Sequence, residues 1–115
     1  MKYLLAIYAD ESEWSELSED DRQAMYAEYA RFAEDMGRRG MMIDGAELRP
    51  TTAATTVRVR EGRTFVTDGP FAETKEQLGG YFVVECESID DAIEAAGRIP
   101  TARHGCIEVR PLVER

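Results

Sequence analysis

Residues 3 to 8 are apolar on both of their alternating sets, Tyr3/Leu5/Ile7 and Leu4/Ala6/Tyr8. Successive side chains of a strand point to opposite faces, so a run that is apolar at both periods needs cover on two sides. This stretch therefore reads as the centre of a sheet. The stretch from Tyr81 to Cys86 has the same character near its middle. Two doubly covered strands in a chain of 115 residues exclude an open one-sided sheet and restrict what can lie between them.

A helix follows each of them. Ser18-Glu19-Asp20-Asp21 is a capping signature, with a serine cap and an acid three residues on. Met25, Tyr29, Phe32, Ala33 and Met36 follow at helical spacing, while Glu28, Arg31, Glu34, Asp35 and Arg38 fall on the other face. Gly37 and Gly40 supply the stop. Ser88-Ile89-Asp90-Asp91 repeats the signature, Ala92, Ile93, Ala96 and Ile99 make the inward stripe, and Pro100 closes the helix.

The remaining segments read as strands. Met41 to Leu48 is one, interrupted at Asp44-Gly45. Pro50 and the threonines between 51 and 56 mark a loop. Residues 56–60 and 63–67 flank Glu61-Gly62 as a β-hairpin whose Arg58/Arg60 set faces solvent. Gly105 to Leu112 is the last strand, with Ile107 and Val109 on one face and Cys106, Glu108 and Arg110 on the other.

Setting the hairpin aside leaves β-α-β-β-α-β, the split-βαβ order of α+β ferredoxin-like folds, spanning residues 1–115 as one domain. Both helices of such a fold cover the same face of the sheet. The second apolar face then needs another cover, and the same face of a second subunit about a two-fold axis is the simplest one. A homodimer enclosing a partly barrel-like space is the expectation. In this topology the strands bearing Cys86 and Cys106 flank the first strand on opposite sides, roughly 9–10 Å apart, beyond the reach of a disulfide.

The charge balance narrows the partners. There are 23 acidic and 14 basic residues, a net −9, which argues against a nucleic-acid backbone. Asp10, Glu11, Glu13, Glu16, Glu19, Asp20 and Asp21 run without a lysine or arginine, a solvated connection plus a dipole-matched helix start, or an acidic docking surface for a basic partner. No apolar run has the length of a membrane span, and residues 1–8 are too short for a signal peptide, so no membrane contact and a cytoplasmic location are expected. No clustered His, Cys or carboxylate spacing marks a metal site, and no cofactor is expected.

The densest chemistry lies in Asp68-Gly69-Pro70-Phe71-Ala72-Glu73-Thr74-Lys75-Glu76-Gln77-Leu78-Gly79-Gly80-Tyr81. Asp68 is placed to accept hydrogen bonds from the turn or to act as a base. Ala72 to Leu78 is expected to form one or two helical turns carrying Glu73 and Glu76 on one face, ended by Gly79. Lys75 is placed to stabilise an oxyanion or to lower the pKa of a neighbouring acid. Asp68, Glu73, Lys75 and Glu76 are thus the candidate catalytic residues. Gly80 allows close backbone approach, and His104, Glu108 and Arg110 join it as candidate ligand-binding residues.

The motif DGPFAETKEQLGGY, the opening MKYLLAIYAD and the closing GCIEVRPL resemble the DGPF branch of the YCII-related family over nearly the whole chain. The resemblance implies a dimeric α/β barrel of ferredoxin-like type, and an association with extracytoplasmic-function sigma factors. The wider family's proposed acid/base pair joins a histidine on the first helix to an aspartate. Here that helix carries Tyr26 and Tyr29 instead, so the pair does not carry over. The expected function is a homodimer binding a small anionic or carbonyl-bearing metabolite at the DGPF loop, with cofactor-independent acid/base chemistry. The alternative is a non-catalytic regulatory or binding module whose acidic segment or hairpin engages a protein such as a sigma factor.

Overall fold

The computed structural model describes all of residues 1–115. Four strands form an antiparallel sheet: β1 (Lys2–Ala9), β2 (Met42–Glu47), β5 (Gln77–Glu85) and β6 (Cys106–Pro111), in the order β2-β5-β1-β6. Strands β3 (Thr55–Arg60) and β4 (Arg63–Asp68) form a separate two-stranded hairpin. The doubly apolar strands β1 and β5 occupy the two central positions. The order is that of a split-βαβ sheet, and the α+β architecture is compatible with a ferredoxin-like fold.

Helices α2 (Glu19–Arg38) and α3 (Ile89–Gly97) cover one face of the sheet. Ser18 caps α2 by accepting from Asp21 N, and Ser88 caps α3 by accepting from Asp91 N, as the two signatures predict. Gly40, at φ +70°, takes the left-handed position that ends α2. Tyr3, Leu5 and Ile7 of β1 and Val84 of β5 meet Phe32 and Met36 of α2 and Ala92, Ala95 and Ala96 of α3.

Several expectations need correction. Glu19, Asp20 and Asp21 do stand in the first turn of α2, but the stretch before them is not a plain connection: Glu11–Glu16 form a short helix α1, capped by Asp10 through Ser12 N at 2.9 Å. Residues 72–76 form no helical turn. They are irregular, with bends at Ala72, Lys75 and Glu76, and β5 begins at Gln77, four residues before Tyr81. An isolated turn of helix has a costly nucleus, whereas Gln77 and Leu78 gain ladder partners in Ala9 and Tyr8 beyond a bulge in the register. Ile93 is 53% exposed and Ala95 takes the inward position, because small side chains at 92, 95 and 96 let this nine-residue helix lie close to the sheet.

The cysteines are both free. Cys86 lies by Met1 and Cys106 pairs with Tyr8, so they sit at opposite ends of β1 as well as on opposite sides. Six residues of strand separate these ends by about 20 Å, a second barrier to a disulfide.

On the face without helices, Leu4, Tyr8, Tyr81 and Val83 are half-buried. The cross-strand register puts Leu4 opposite Val83 and Ala6 opposite Tyr81, making an apolar strip along the centre. The β3–β4 hairpin projects from the domain. The radius of gyration is 16.1 Å, against about 13 Å for a compact domain of this length.

Candidate functional site

The hairpin and the following loop are joined at Gly69. Its φ of +95° is a conformation that a side chain would strain. Its N–H donates to Ala54 O at 2.7 Å, and its carbonyl accepts from Thr56 Oγ1 at 2.8 Å. Further on, Thr74 Oγ1 donates to Glu76 O at 2.6 Å and Gln77 Nε2 donates to Thr74 O, which together shape the bends that replace the expected helix.

Two side chains tie this loop to the rest of the chain. Gln77 Oε1 accepts from Glu11 N at 2.9 Å. Glu11 in turn accepts from Thr51 N at 2.7 Å and from Thr51 Oγ1 at 2.8 Å. Helix α1, the 3-10 turn Thr51–Ala53 and the DGPF loop are thereby fastened together. Between the turn and the loop lies a cavity of about 370 Å³, lined by Thr51, Thr52, Gly69, Glu73, Thr74 and Gln77. Pro70 and Ala72 complete its wall. The lining offers hydroxyls, an amide and one carboxylate, and no lysine or arginine.

Of the four candidate catalytic residues, only Glu73 lines this cavity. Asp68 is exposed at the end of β4, opposite Thr55, and its carboxylate holds no turn donor; the turn is closed by the Gly69 backbone instead. Lys75 is exposed and forms no ion pair with Glu76 or any other acid. Its charge acts on Asp10, whose carboxyl lies below its ordinary range chiefly because it accepts two bonds from Ser12, with Lys75 adding. Glu76 is half-buried and accepts from Cys106 Sγ at 3.8 Å. The Cys106 thiol is pushed up by burial and by the Glu76 charge beside it.

The candidate binding residues do not gather at the cavity. Gly80 is buried in β5, where a Cβ would come within 2.8 Å of Ala46 O, so the predicted close approach is to the neighbouring strand. His104 is exposed at the end of a second 3-10 turn, Pro100–Arg103. Glu108 and Arg110 pair with each other at 2.8 Å on the helix-free face. Tyr26 and Tyr29 are also elsewhere. Burial raises both phenols; Tyr26 donates to Glu47, and Tyr29 shares a short hydrogen bond with Thr101.

Sequence reasoning missed Thr51, Thr52, Gln77 and Glu11. The run of threonines after Pro50 was the available signal, since hydroxyls concentrated in a loop offer hydrogen bonds at little cost in bulk. A second concavity of about 230 Å³ lies among the helices, between Glu28, Arg31, Arg98 and Arg103 over Phe32. Two of its arginines are already engaged, Arg103 by Glu28 at 2.6 Å and Arg98 by Asp35 at 2.5 Å.

An antiparallel β2-β5-β1-β6 sheet with helices on one face, and a laced loop beside it, defines an α+β domain with a small cleft. Its family is plain. The chain belongs to the YCII-related family, whose domain model matches residues 1–115. It is similar to the uncharacterized protein R00369 of Rhizobium meliloti (strain 1021), 40% identical over 114 residues, covering 97% of this chain and 92% of that one.

Proposed function

We propose that this protein binds a small, carbonyl-bearing polar metabolite in the cleft between Thr51–Ala53 and the DGPF loop, as part of a homodimer. One observation carries the reading: Glu11 and Gln77 hold three separate segments around a cavity whose largely apolar wall carries a few hydroxyls, an amide and one carboxylate. Pockets with convergent polar groups on fixed elements are the usual form of a small-ligand site. Thr52, whose hydroxyl has no partner within the chain, would donate to a carbonyl oxygen, while Thr51 and Thr74 give their hydroxyl protons to Glu11 and to Glu76 O and offer the ligand only lone pairs. Glu73, the one acid in the wall, would be the group that takes or returns a proton. A wall with a carboxylate and no cation favours a neutral ligand over an anionic one.

Lys75 and Asp68 are then outer groups of the loop, and Glu76 acts through Cys106 on β6. The apolar strip of Leu4, Ala6, Tyr81 and Val83 supports the dimer, because two such strips packed together would remove the apolar surface from water.

The test is an amide-resolved NMR titration with three neutral carbonyl compounds as probes, dihydroxyacetone, acetoin and a lactone. The reading expects shifts at Thr51, Thr52, Gly69, Thr74 and Gln77, lost in Thr52→Val. Shifts confined to other surfaces, or none with any probe, would remove it. Deuterium exchange at the carbon beside the probe's carbonyl, abolished by Glu73→Gln, separates catalysis from binding alone.

A further inference from the structure

The β3–β4 hairpin is the least self-sufficient part of the molecule. Every residue from Val57 to Asp68 is exposed. The register pairs Val57 with Val66 and Val59 with Thr64, so three valines share one face of a two-stranded ribbon. They are 60%, 65% and 58% exposed for Val57, Val66 and Val59. A two-stranded hairpin is marginal by itself in water and needs a third strand or a packed face. Exposed, flat apolar ribbons also invite pairing with another chain.

The opposite face has a different chemistry. Arg58, Arg60 and Arg63 lie there with Phe65, over whose ring the Arg63 guanidinium sits at 5.5 Å. None of the three arginines forms an ion pair in its own chain. Glu13, Glu16, Asp20 and Asp21, in and just beyond α1, are likewise unpaired. Strands of six residues carry the tip of the ribbon about 20 Å from its base. Thr51, bonded to Glu11, lies four residues before the start of β3, and Arg60 and Arg63 pair at the far end, so the ribbon leads these arginines away from the point where its own acidic segment is held.

We propose that the hairpin is an arm that docks on a second copy of this chain, its valine face against the partner and its arginines, long enough to reach past the edges of a two-stranded ribbon, against the partner's acidic 10–21 segment. A two-fold axis makes the contact twice, arm to segment and segment to arm. The arm and the DGPF loop meet at Gly69, so docking would hold the rim of the proposed cleft from the side of the hairpin. The inference rests on the homodimer of the reading above for its second copy.

The experiment is sedimentation equilibrium of the full chain. Arg58→Glu/Arg60→Glu/Arg63→Glu defines one variant and Glu13→Lys/Glu16→Lys/Asp20→Lys a second. Each alone should raise the dimer dissociation constant at least tenfold. Mixed, they should associate with each other, because both arm-to-segment contacts are again of opposite sign. Val57→Thr/Val66→Thr, which keeps good strand formers, should weaken the dimer as well. Hydrogen exchange should show hairpin amides protected above the dissociation constant and unprotected below it. A dimer constant unchanged in the arm variants overturns the arm and leaves the assembly standing. A wild-type chain that stays monomeric at every concentration overturns both and assigns the valine face to a different occupant. A mixture that fails to associate overturns the pairing with the acidic segment.

Discussion

Glu11 receives both hydrogen-bond donors of Thr51, the backbone N–H on Oε1 at 2.7 Å and the hydroxyl on Oε2 at 2.8 Å. The two residues are half-buried and lie 40 positions apart, so the pair joins α1 to the turn that walls the cleft. Bonds to an ionised carboxylate are stronger than neutral ones, and a partner left behind keeps its desolvation penalty. Glu11→Ala is expected to lower stability by about 2 kcal/mol and to broaden the amide signals of Thr51, Thr52 and Gln77. Urea titration measures the first and NMR line shapes the second. Unchanged signals in the variant would mean that the cleft is held by something else.

Gly80 makes a different kind of prediction. A methyl there would come within 2.8 Å of the Ala46 carbonyl oxygen, which is backbone and has nowhere to rotate. Gly80→Ala should push β2 away from β5 and cost about 1–3 kcal/mol, the usual range for overpacking. Gly79, the residue before it, has open space at its Cβ position, so Gly79→Ala should change stability far less. Thermal unfolding of the two variants separates a packing role at position 80 from a ligand-binding one.

Tyr29 and Thr101 are hydrogen-bonded between α2 and the second 3-10 turn, and Thr101 is buried. Tyr29→Phe strands the threonine hydroxyl and should cost about 1–2 kcal/mol. Thr101→Val strands the phenol instead. The double variant leaves neither group unsatisfied, so it should cost less than the two single losses added together. Strict additivity in that cycle would show that the bond contributes nothing.

The skeleton of the fold was legible because it rests on short-range patterns. Ser18 and Ser88 cap where their acids three residues on predict, and the doubly apolar runs take the centre of the sheet. The loop was legible as a location and not as a geometry. Lys75 and Asp68 look like site residues because their charges crowd one motif, yet only contacts with α1 and the 3-10 turn determine which groups face the cleft. Glu11 and Gln77 are 66 positions apart, and no local pattern links them. The short α1 was obscured for a related reason: its acids read equally well as a solvated run, and what distinguishes a helix is the Asp10 cap bonded to Ser12.

The helix-free face gives a prediction for assembly. Val83 lies opposite Leu4 near the centre of the apolar strip. Val83→Asp would place a charge where the proposed dimer excludes water, and burying an unpaired carboxylate is strongly unfavourable. The monomer leaves that side chain half-exposed, so its own fold should tolerate the change. Light scattering should show a monomer with an unaltered far-ultraviolet dichroism spectrum. A Val83→Asp protein that remains a dimer would place the interface elsewhere.

Stability should also respond to acid through Asp35. The Arg98 guanidinium, 2.5 Å away, holds this carboxyl below the usual aspartate value against a smaller opposing effect of burial, and Arg39 and Arg38 add to the lowering. The folded pKa therefore lies below the unfolded one, and the folded state binds the proton less readily. For a shift of this sign the contribution is complete above the unfolded value of about 3.9 and is lost as pH falls through the folded pKa. Wild-type stability should decline on acidification below about pH 4, where α2 and α3 lose the tie between Asp35 and Arg98. Asp35→Asn lacks the titrating group, so its melting temperature should start lower at neutral pH and fall less steeply over the same interval. Melting curves from pH 6 to pH 2.5 make the comparison, and parallel acid limbs in the two proteins would show that Asp35 does not carry the linkage.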